Sequence, residues 1–254
     1  MINTPLFIQG LEKLPFQSEE LPVHSVKTHS GDIRFLMFGE TTEFRVRTFF
    51  TKEPETLSWI DGFDKGDVLW DIGANMGCYS VYAANRKDLK VCAFEPSPVN
   101  FWLLGANVAL NDFSDRISLY PFALSDVSGV IHWSLDIKPS SADNQLTGSG
   151  RAAIQTYSID ELIAIQAAPF PYHIKLDVDG IEALILAGAK KTLGDNRLKS
   201  LLVEVDEGDK ITTDNIVDLL IGQGFNEPVR RHLPYFDNNH YLPFSNYLFT
   251  RNKR

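Results

Sequence analysis

The sequence predicts an α/β protein with a mostly parallel, doubly wound sheet. Three segments carry this prediction, at residues 66–77, 90–95 and 174–182. In each of them a short apolar run, typical of a strand buried on both faces, ends at an acidic residue before a helical segment begins. Strands that alternate with helices in this way form a parallel sheet that is covered by helices on both faces.

The composition fits a globular protein with a sizeable core and excludes several other classes. The chain has 254 residues, of which 44% are hydrophobic, which suits one α/β domain with modest additions. A net charge of −9 argues against a protein that follows nucleic-acid phosphates. Two cysteines, Cys78 and Cys92, are too few for a disulfide framework, so we expect small buried residues in a reducing compartment.

The sequence contains no segment that predicts a membrane span or export. No apolar run approaches the roughly 18 residues that a spanning helix needs. The N-terminus lacks the basic flank of a secretory signal. We therefore expect a soluble, cytoplasmic protein.

The first 52 residues are expected to be an N-terminal extension, with the main domain over residues 53–254. Residues 1–30 are mixed in composition and contain proline, which suggests a short helix and a loose arm. Residues 31–50 alternate between apolar and polar side chains, which predicts a β-hairpin around Gly39-Glu40. Its position makes the extension a candidate source of substrate specificity or of dimer contacts.

From residue 55 onward, the apolar periodicity predicts alternating helices and strands. Pro121 limits the third strand to an edge or a bulge, and the polar stretch 138–150 is predicted to be a loop. The last two strands are expected to form an antiparallel pair at the sheet edge. The predicted helices cover residues 55–63, 76–85, 98–111, 181–193 and 214–222. The predicted strands cover residues 68–72, 90–94, 117–124, 129–136, 172–176, 201–205, 229–233 and 246–250, and a short strand and helix share residues 156–165.

The loop after the first buried strand predicts a ligand site. It reads Asp71-x-Gly73-x-Asn75-x-Gly77, so that the backbone can approach a ligand closely. A dinucleotide favours glycine at the middle position, where this chain has Asn75, and the spacing therefore favours S-adenosylmethionine. Asp71 would hold the ammonium of its methionine part, and Glu95 would hold the two ribose hydroxyls. An ordinary strand–turn–helix without a ligand is the alternative.

Further acidic side chains follow later strands, at the edge where open α/β sheets bind ligands. Asp177 is predicted to face the reacting centre or the amino group of the cofactor. Asp177 and Asp179 could share a metal ion, but Asp179 and Glu182 also fit a helix capping box. Glu204 ends an apolar run, which fits either a site residue or a satisfied buried acid. His132 lies in an added strand, where a structural role or a role as a base are both possible.

Six segments occur in the order seen in FkbM-type methyltransferases, and the chain resembles that family over roughly residues 53–206. The resemblance implies a class I, Rossmann-like sheet of seven strands with an antiparallel C-terminal strand. It also implies an S-adenosylmethionine-dependent enzyme that usually methylates a hydroxyl oxygen. The segments are Asp71–Gly77, Phe94–Pro96, Ala123–Asp126, Ser158–Leu162, Lys175–Gly180 with Glu182, and Leu202–Glu204.

The resemblance also implies which residues bind the cofactor. The loop from Asp71 to Gly77 would bind the methionine end, Glu95 the ribose, and residues 123–125 the adenine. The family commonly has glutamate where this chain has the shorter Asp179. The predicted cofactor site consists of Asp71, Gly73, Ala74, Asn75, Gly77, Glu95, Pro96, Ala123, Leu124, Ser125 and Asp177.

The expected reaction is O-methylation of a small metabolite, a sugar or glycan, or a polyketide. The protein mainly has to align the acceptor oxygen with the sulfonium methyl group. A general base has to take the hydroxyl proton, and the candidates are Asp177, then Glu204, then His132. Only the pair of Asp177 and Asp179 suggests a divalent metal, and no metal ligand is assigned.

Two other functions remain open from the sequence. One is a nicotinamide-dependent oxidoreductase built on the same sheet, which Asn75 opposes. The other is a non-catalytic protein that binds S-adenosylmethionine. Methylation of a base or glutamine nitrogen is not favoured, because no Asn-Pro-Pro-Tyr-like motif follows the strand at 172–176. The sequence does not define the acceptor or the oligomeric state.

Overall fold

The computed structural model describes residues 22–86, 88–134, 152–178, 180–231 and 244–252. None of the helices within these ranges is long and apolar enough to cross a membrane. The helices are α1 (Glu40–Arg47), α2 (Pro54–Asp61), α3 (Cys78–Asn85), α4 (Pro98–Leu110), α5 (Ile159–Ala164), α6 (Glu182–Ala187), α7 (Lys190–Gly194) and α8 (Lys210–Gly222). The strands are β1 (Val23–Thr28), β2 (Gly31–Leu36), β3 (Val68–Ile72), β4 (Lys90–Phe94), β5 (Ile117–Tyr120), β6 (Ala123–Leu124), β7 (Gly129–Trp133), β8 (Ala152–Tyr157), β9 (His173–Leu176), β10 (Ser200–Asp206), β11 (Val229–Arg231) and β12 (Phe244–Thr250).

Seven strands form the main sheet, in the order β11-β12-β10-β9-β3-β4-β5. Strands β10, β9, β3, β4 and β5 pair in parallel, whereas β12 is antiparallel to both of its neighbours. The predicted fold class, with its antiparallel C-terminal strand, is confirmed. The chain proceeds outward from β3 to β5 and then returns to β9 on the other side of β3. The carboxyl ends of β3 and β9 therefore lie at the switch point where such sheets bind ligands.

The central strands are apolar throughout because both faces of the sheet are covered. Leu69 belongs to the core on the face that carries α3, α4 and the β1–β2 hairpin. Trp70, the next residue, belongs to the core on the opposite face, with side chains from α6 and α8. Cys92 is buried in β4, Cys78 is half-buried at the start of α3, and both are free thiols.

The prediction of a hairpin around Gly39-Glu40 is wrong. The hairpin is formed by β1 and β2, and it turns at Thr28–Gly31, where Gly31 has a φ of 123° and the Thr28 hydroxyl donates to the Gly31 carbonyl oxygen at 2.7 Å. Residues 40–47 form a helix instead, with Thr42 and Val46 buried four residues apart on one face. The prediction of a loose arm over residues 1–30 is wrong for residues 23–28, which form β1. Residues 1–21 lie outside the described ranges.

Two later elements are divided in the structure. The strand predicted over 117–124 ends before Pro121, which cannot donate to a ladder, and β6 joins a separate sheet of order β6-β8-β7. The helix predicted over 181–193 is interrupted at Gly188, which packs against that sheet. A Cβ on Gly188 would lie 2.4 Å from the Ser125 carbonyl oxygen. The predicted loop at 138–150 lies outside the described ranges.

A buried polar network joins the amino ends of the central strands, on the opposite edge from the predicted site. His173 contacts the Ser200 hydroxyl through Nδ1 at 2.7 Å and Asp67 Oδ2 through Nε2 at 2.8 Å. Phe63 stacks on the His173 ring with centroids 3.6 Å apart, and Trp59 Nε1 donates to Ser200 Oγ at 2.8 Å. Burial lowers the pKa of His173 although Asp67 opposes this. Because Ser200 is buried, this Ser–His–Asp arrangement is a structural network.

Replacing His173 should therefore destabilise the protein. The substitution His173→Ala removes one buried hydrogen-bond partner from Ser200 and one from Asp67, together with the ring that stacks on Phe63, and we expect the free energy of unfolding to fall by about 2–4 kcal/mol. Urea denaturation would measure the loss. His24→Ala, on the exposed side of β1, is the control and should change the free energy by about 0.5 kcal/mol or less. Equal values for the two variants would contradict this account of the network.

Candidate functional site

The turn after β3 requires residues that tolerate a left-handed backbone. Gly73, Asn75 and Gly77 have φ values of 83°, 52° and 86°. A Cβ on Gly73 would lie 1.9 Å from the carbonyl oxygen of Asp177, and one on Gly77 would lie 2.4 Å from Leu104 Cδ1. These two glycines are therefore required by close packing as well as by φ. The Asn75 side chain folds back, and its Oδ1 accepts from the next backbone N–H at 2.9 Å.

Glu95 follows β4 and connects this turn to the neighbouring strand end. Its Oε2 accepts from the Asn75 backbone N–H and its Oε1 from the Ser97 backbone N–H, both at 2.8 Å. The carboxylate is thus fixed at a strand end by two backbone donors, one of them from the turn after β3.

Asp71 is buried at the end of β3 and has one unpaired oxygen. Its Oδ2 accepts from the Ser80 hydroxyl at 2.6 Å. Its Oδ1 is buried and has no hydrogen-bond partner in the part of the chain that the structure describes. Burial raises the pKa of Asp71, against the attraction of the Lys175 charge. A buried acceptor without a donor is rare in folded proteins, and a bound cation would satisfy it.

Buried Lys175 and half-buried Asp177 form an ion pair at the end of β9. Lys175 Nζ donates to Asp177 Oδ2 and lies 4.8 Å from the centre of the Tyr79 ring. Burial would lower the pKa of Lys175, but the charges of Asp177 and Glu53 keep it above its ordinary value. Burial likewise acts to raise the pKa of Asp177, but Lys175 holds it below its ordinary value. Asp177 is therefore a weak base.

The structure adds Glu53, which the sequence analysis missed. Its carboxylate pairs with Lys52 Nζ at 2.9 Å and accepts from the Thr56 hydroxyl at 3.0 Å and from Asn246 Nδ2 at 3.4 Å. Burial would raise its pKa, but Lys52 and Lys175 hold it well below its ordinary value. The one local signal is an acid at the start of a helix, which by itself indicates only a cap.

Glu204, on β10, is a further acid of this cluster whose pKa is raised. Within the described ranges its carboxyl has no hydrogen-bond partner. Burial raises its pKa well above the ordinary value, and the negative charges of Asp177 and Glu53 act in the same direction. Of the two interpretations left open by the sequence, these observations favour a site residue over a satisfied buried acid.

The other predicted residues lie on neighbouring elements. His132 is exposed on β7 of the small sheet. Ala123 and Leu124 form the short strand β6, and Ser125 is buried beside them with its hydroxyl 3.1 Å from Asp126 Oδ1. Pro96 borders a cleft; the cleft is lined by Pro96, Pro98, Pro121, Trp133, Ala152, Ala153, Ile154 and Gln155.

Glu182 supports the loop that follows β9. Its Oε1 accepts from the backbone N–H groups of Val178 and Gly180, at 3.3 and 3.4 Å, and burial raises its pKa to about 7. Helix α6 begins at Glu182 with Ile181 as its N-cap, so the predicted capping box is wrong in register. Asp179 lies outside the described ranges. Among the described residues, no group of three or more His, Cys, Asp or Glu is arranged to hold a metal ion.

Comparisons with known proteins relate the chain to one family. A family model described as the methyltransferase FkbM domain matches residues 71–227. The chain is 28% identical over 179 residues to the hexuronic acid methyltransferase AglP of Haloferax volcanii, which covers 69% of this chain and 71% of that protein. It is 39% identical over 66 residues to the 31-O-demethyl-FK506 methyltransferase FkbM of Streptomyces tacrolimicus, covering 26% of this chain and 25% of that protein.

Solved structures show the same fold at low sequence identity. A putative rRNA methylase from Clostridium thermocellum superposes with a TM-score of 0.50 at 11% identity. The superposition covers 80% of this chain and 97% of that one. At this identity the likeness concerns the fold alone.

A methyl group at Gly73 should disrupt the site by displacing the Asp177 carbonyl. Gly66→Ala is a matched control, because Gly66 has a φ of 87° but no atom within 4 Å of its added Cβ. We expect Gly66→Ala to lower the free energy of unfolding by about 1–2 kcal/mol through backbone strain. Gly73→Ala should lower it by about 4 kcal/mol or more, since it adds a backbone clash. Denaturant titration measures both, and similar losses would show that the close approach is unimportant.

Proposed function

Because the chain belongs to the FkbM methyltransferase family, we propose that it transfers the methyl group of S-adenosylmethionine to a hydroxyl oxygen of a small-molecule acceptor. The observation that carries this proposal is the buried, unpaired Oδ1 of Asp71 beside a turn that is closed to side chains. An acceptor oxygen at that position suits the ammonium of an amino acid.

The residues at the sheet edge fit this cofactor in three respects. Asp71 Oδ1 can accept from the ammonium, and the Glu95 oxygens can accept from ribose hydroxyls. The turn at Gly73 lets the backbone come close to the ligand. When bound, the cofactor supplies an electrophilic methyl group.

Glu204 is the general base that this geometry supports best. Asp177 is a poorer candidate than its place in the sequence suggests, because Lys175 stabilises its charged form. His132 lies in the separate small sheet with an exposed side chain. A positive charge beside Glu204 would favour its carboxylate form, which could then take the proton of the acceptor hydroxyl.

The relatives support a hydroxylated acceptor. AglP is named for hexuronic acid, and the Streptomyces relative is named for 31-O-demethyl-FK506. Because AglP aligns with more than two thirds of its length, a sugar is the acceptor class that we would test first. The two alternatives from the sequence, a nicotinamide-dependent oxidoreductase and a non-catalytic cofactor-binding protein, are separated from this proposal by the following experiments.

Cofactor binding tests the proposal directly. We expect calorimetric titration to show binding of S-adenosylmethionine and S-adenosylhomocysteine but not of NAD. Asp71→Asn removes the negative charge that would contact the ammonium group, and it should weaken the binding of both sulfur ligands by about tenfold or more. Asp115→Asn, on the exposed surface, should bind like wild type. Binding of NAD alone would favour hydride transfer, and binding of none of the three would refute the proposed cofactor.

Substitution of Glu204 tests the catalytic step. With a panel of neutral and acidic sugars as acceptors, Glu204→Gln should lower kcat by about 10²–10⁴-fold, while S-adenosylhomocysteine affinity changes little. A base must be ionised to act, so the wild-type rate should fall as the pH falls below the pKa of Glu204. That acidic limb should be absent from the variant.

The exposed Glu161→Gln is the matched control and should keep both the rate and the pH profile of wild type. A Glu204→Gln enzyme with wild-type kcat would eliminate Glu204 as the base. A protein that binds the cofactor but methylates no acceptor in the panel would support the non-catalytic alternative.

A further inference from the structure

Arg45, on α1, is a half-buried cation that forms no ion pair with the described residues. Its Nε is buried and makes no hydrogen bond, and no ion pair joins it to any residue in the ranges that the structure describes. Arg47, two residues further along the same helix, is exposed and pairs with Glu43. The two arginines of α1 therefore differ in that only the exposed one has an acidic partner.

The other half-buried arginines in the described ranges have acceptors. The guanidinium groups of Arg86, Arg116 and Arg251 donate to main-chain carbonyl oxygens. A guanidinium has five N–H donors, and a partly buried one without acceptors is unfavourable. Arg45 thus has the unsatisfied donors expected of a group that binds a ligand.

Arg45 lies close to the loop that is proposed to hold the methionine end of the cofactor. Burial raises the pKa of Cys78, the first residue of α3, to about 11, and the charges of Arg45 and Lys52 oppose this rise. Burial and Arg45 act to lower the pKa of Lys52, but Glu53 keeps it above its ordinary value. Arg45 and Lys52 therefore present two positive charges to the start of α3.

Two of the acidic groups near these cations are engaged by lysines. Lys52 pairs with Glu53, and the Lys175 charge also acts on Glu53. Asp177 pairs with Lys175. Among the described residues no carboxylate pairs with Arg45, and a bound anion would relieve the repulsion between Arg45 and Lys52.

We propose that Arg45, supported by Lys52, forms a binding subsite for a carboxylate group at the rim of the cofactor site. The planar guanidinium fork matches the two oxygens of a carboxylate. The carboxylate would come from an acidic sugar acceptor or from the amino-acid part of the cofactor. The inference deepens the proposed function and rests on it.

Calorimetry with three variants of the full chain tests the subsite. Arg45→Met removes the cation, Arg45→Lys keeps a charge without the fork, and Arg47→Met is the matched control on the same helix. The ligands are S-adenosylhomocysteine, 5′-methylthioadenosine, which lacks the amino-acid part, and glucuronate or glucose added to protein saturated with S-adenosylhomocysteine. Circular dichroism and thermal melting confirm that each variant is folded.

Two outcomes support the subsite and identify the source of the carboxylate. If it belongs to the cofactor, Arg45→Met should weaken S-adenosylhomocysteine roughly 10- to 100-fold and leave 5′-methylthioadenosine unchanged. If it belongs to the acceptor, Arg45→Met should leave S-adenosylhomocysteine unchanged and weaken glucuronate by a similar factor, but not glucose. In either case Arg45→Lys should lie between wild type and Arg45→Met.

Equal behaviour of Arg45→Met and Arg47→Met would overturn the inference. That includes the case in which glucuronate binds neither wild type nor variant and the affinity for S-adenosylhomocysteine is unchanged. A wild-type protein that binds neither adenosine ligand would instead refute the proposed function, and with it the inference. Failure of the inference alone is recognised when all variants bind S-adenosylhomocysteine like wild type and Arg45→Met does not weaken glucuronate.

Discussion

The site depends on the contact between Gly73 and the backbone of Asp177. Strands β3 and β9 are neighbours in the sheet, and the Asp177 N–H donates to the Ile72 carbonyl oxygen at 3.1 Å. The Asp177 carbonyl oxygen then occupies the place of a side chain at position 73. Two strand ends that each carry an acid are thereby held together in a buried environment, where charges interact strongly. The arrangement of the surrounding charged residues follows from this constraint.

The hydrogen bonding of buried polar groups differs between the amino and the carboxyl ends of the strands in the main sheet. At the amino ends, the groups of Asp67, His173 and Ser200 satisfy one another, and aromatic rings cover them. At the carboxyl ends, Lys175 compensates Asp177, but no described residue pairs with Asp71 Oδ1, and the pKa of Glu204 is elevated. Buried polar groups in a structural network are normally paired, whereas a ligand site contains groups that pair only with the ligand.

The sequence predicted best what depends on local pattern and on topology. Strands β3 and β4 match their predicted bounds, because each is a short apolar run between polar turns. The acids at the ends of β3, β4, β9 and β10 could be assigned to one edge, since parallel strands place their carboxyl ends together. The hairpin was misplaced because the alternation of β2 continues into residues whose buried side chains have helical spacing, such as Thr42 and Val46.

Glu53 and Arg45 could not be predicted, because distant parts of the chain determine their environment. Asn246, which donates to Glu53, is 193 positions away in the sequence. Both residues lie at or before the boundary that the sequence suggested between an extension and the main domain. Yet Ile33 and Phe35 of β2 are fully buried in the same core cluster as Leu69.

Residues 22–52 therefore share the hydrophobic core of the sheet, and this packing has a consequence for the site. Charged side chains on a loosely attached segment would lose conformational freedom each time a ligand bound. Because β2 donates to Asn107 and Asn111 of α4 as well as packing in the core, α1 and the start of α2 are anchored before any ligand arrives. Lys52 and Glu53 are thus positioned against the strand ends by the fold itself. They are preorganised in the same way as the acidic residues at the carboxyl edge of the sheet.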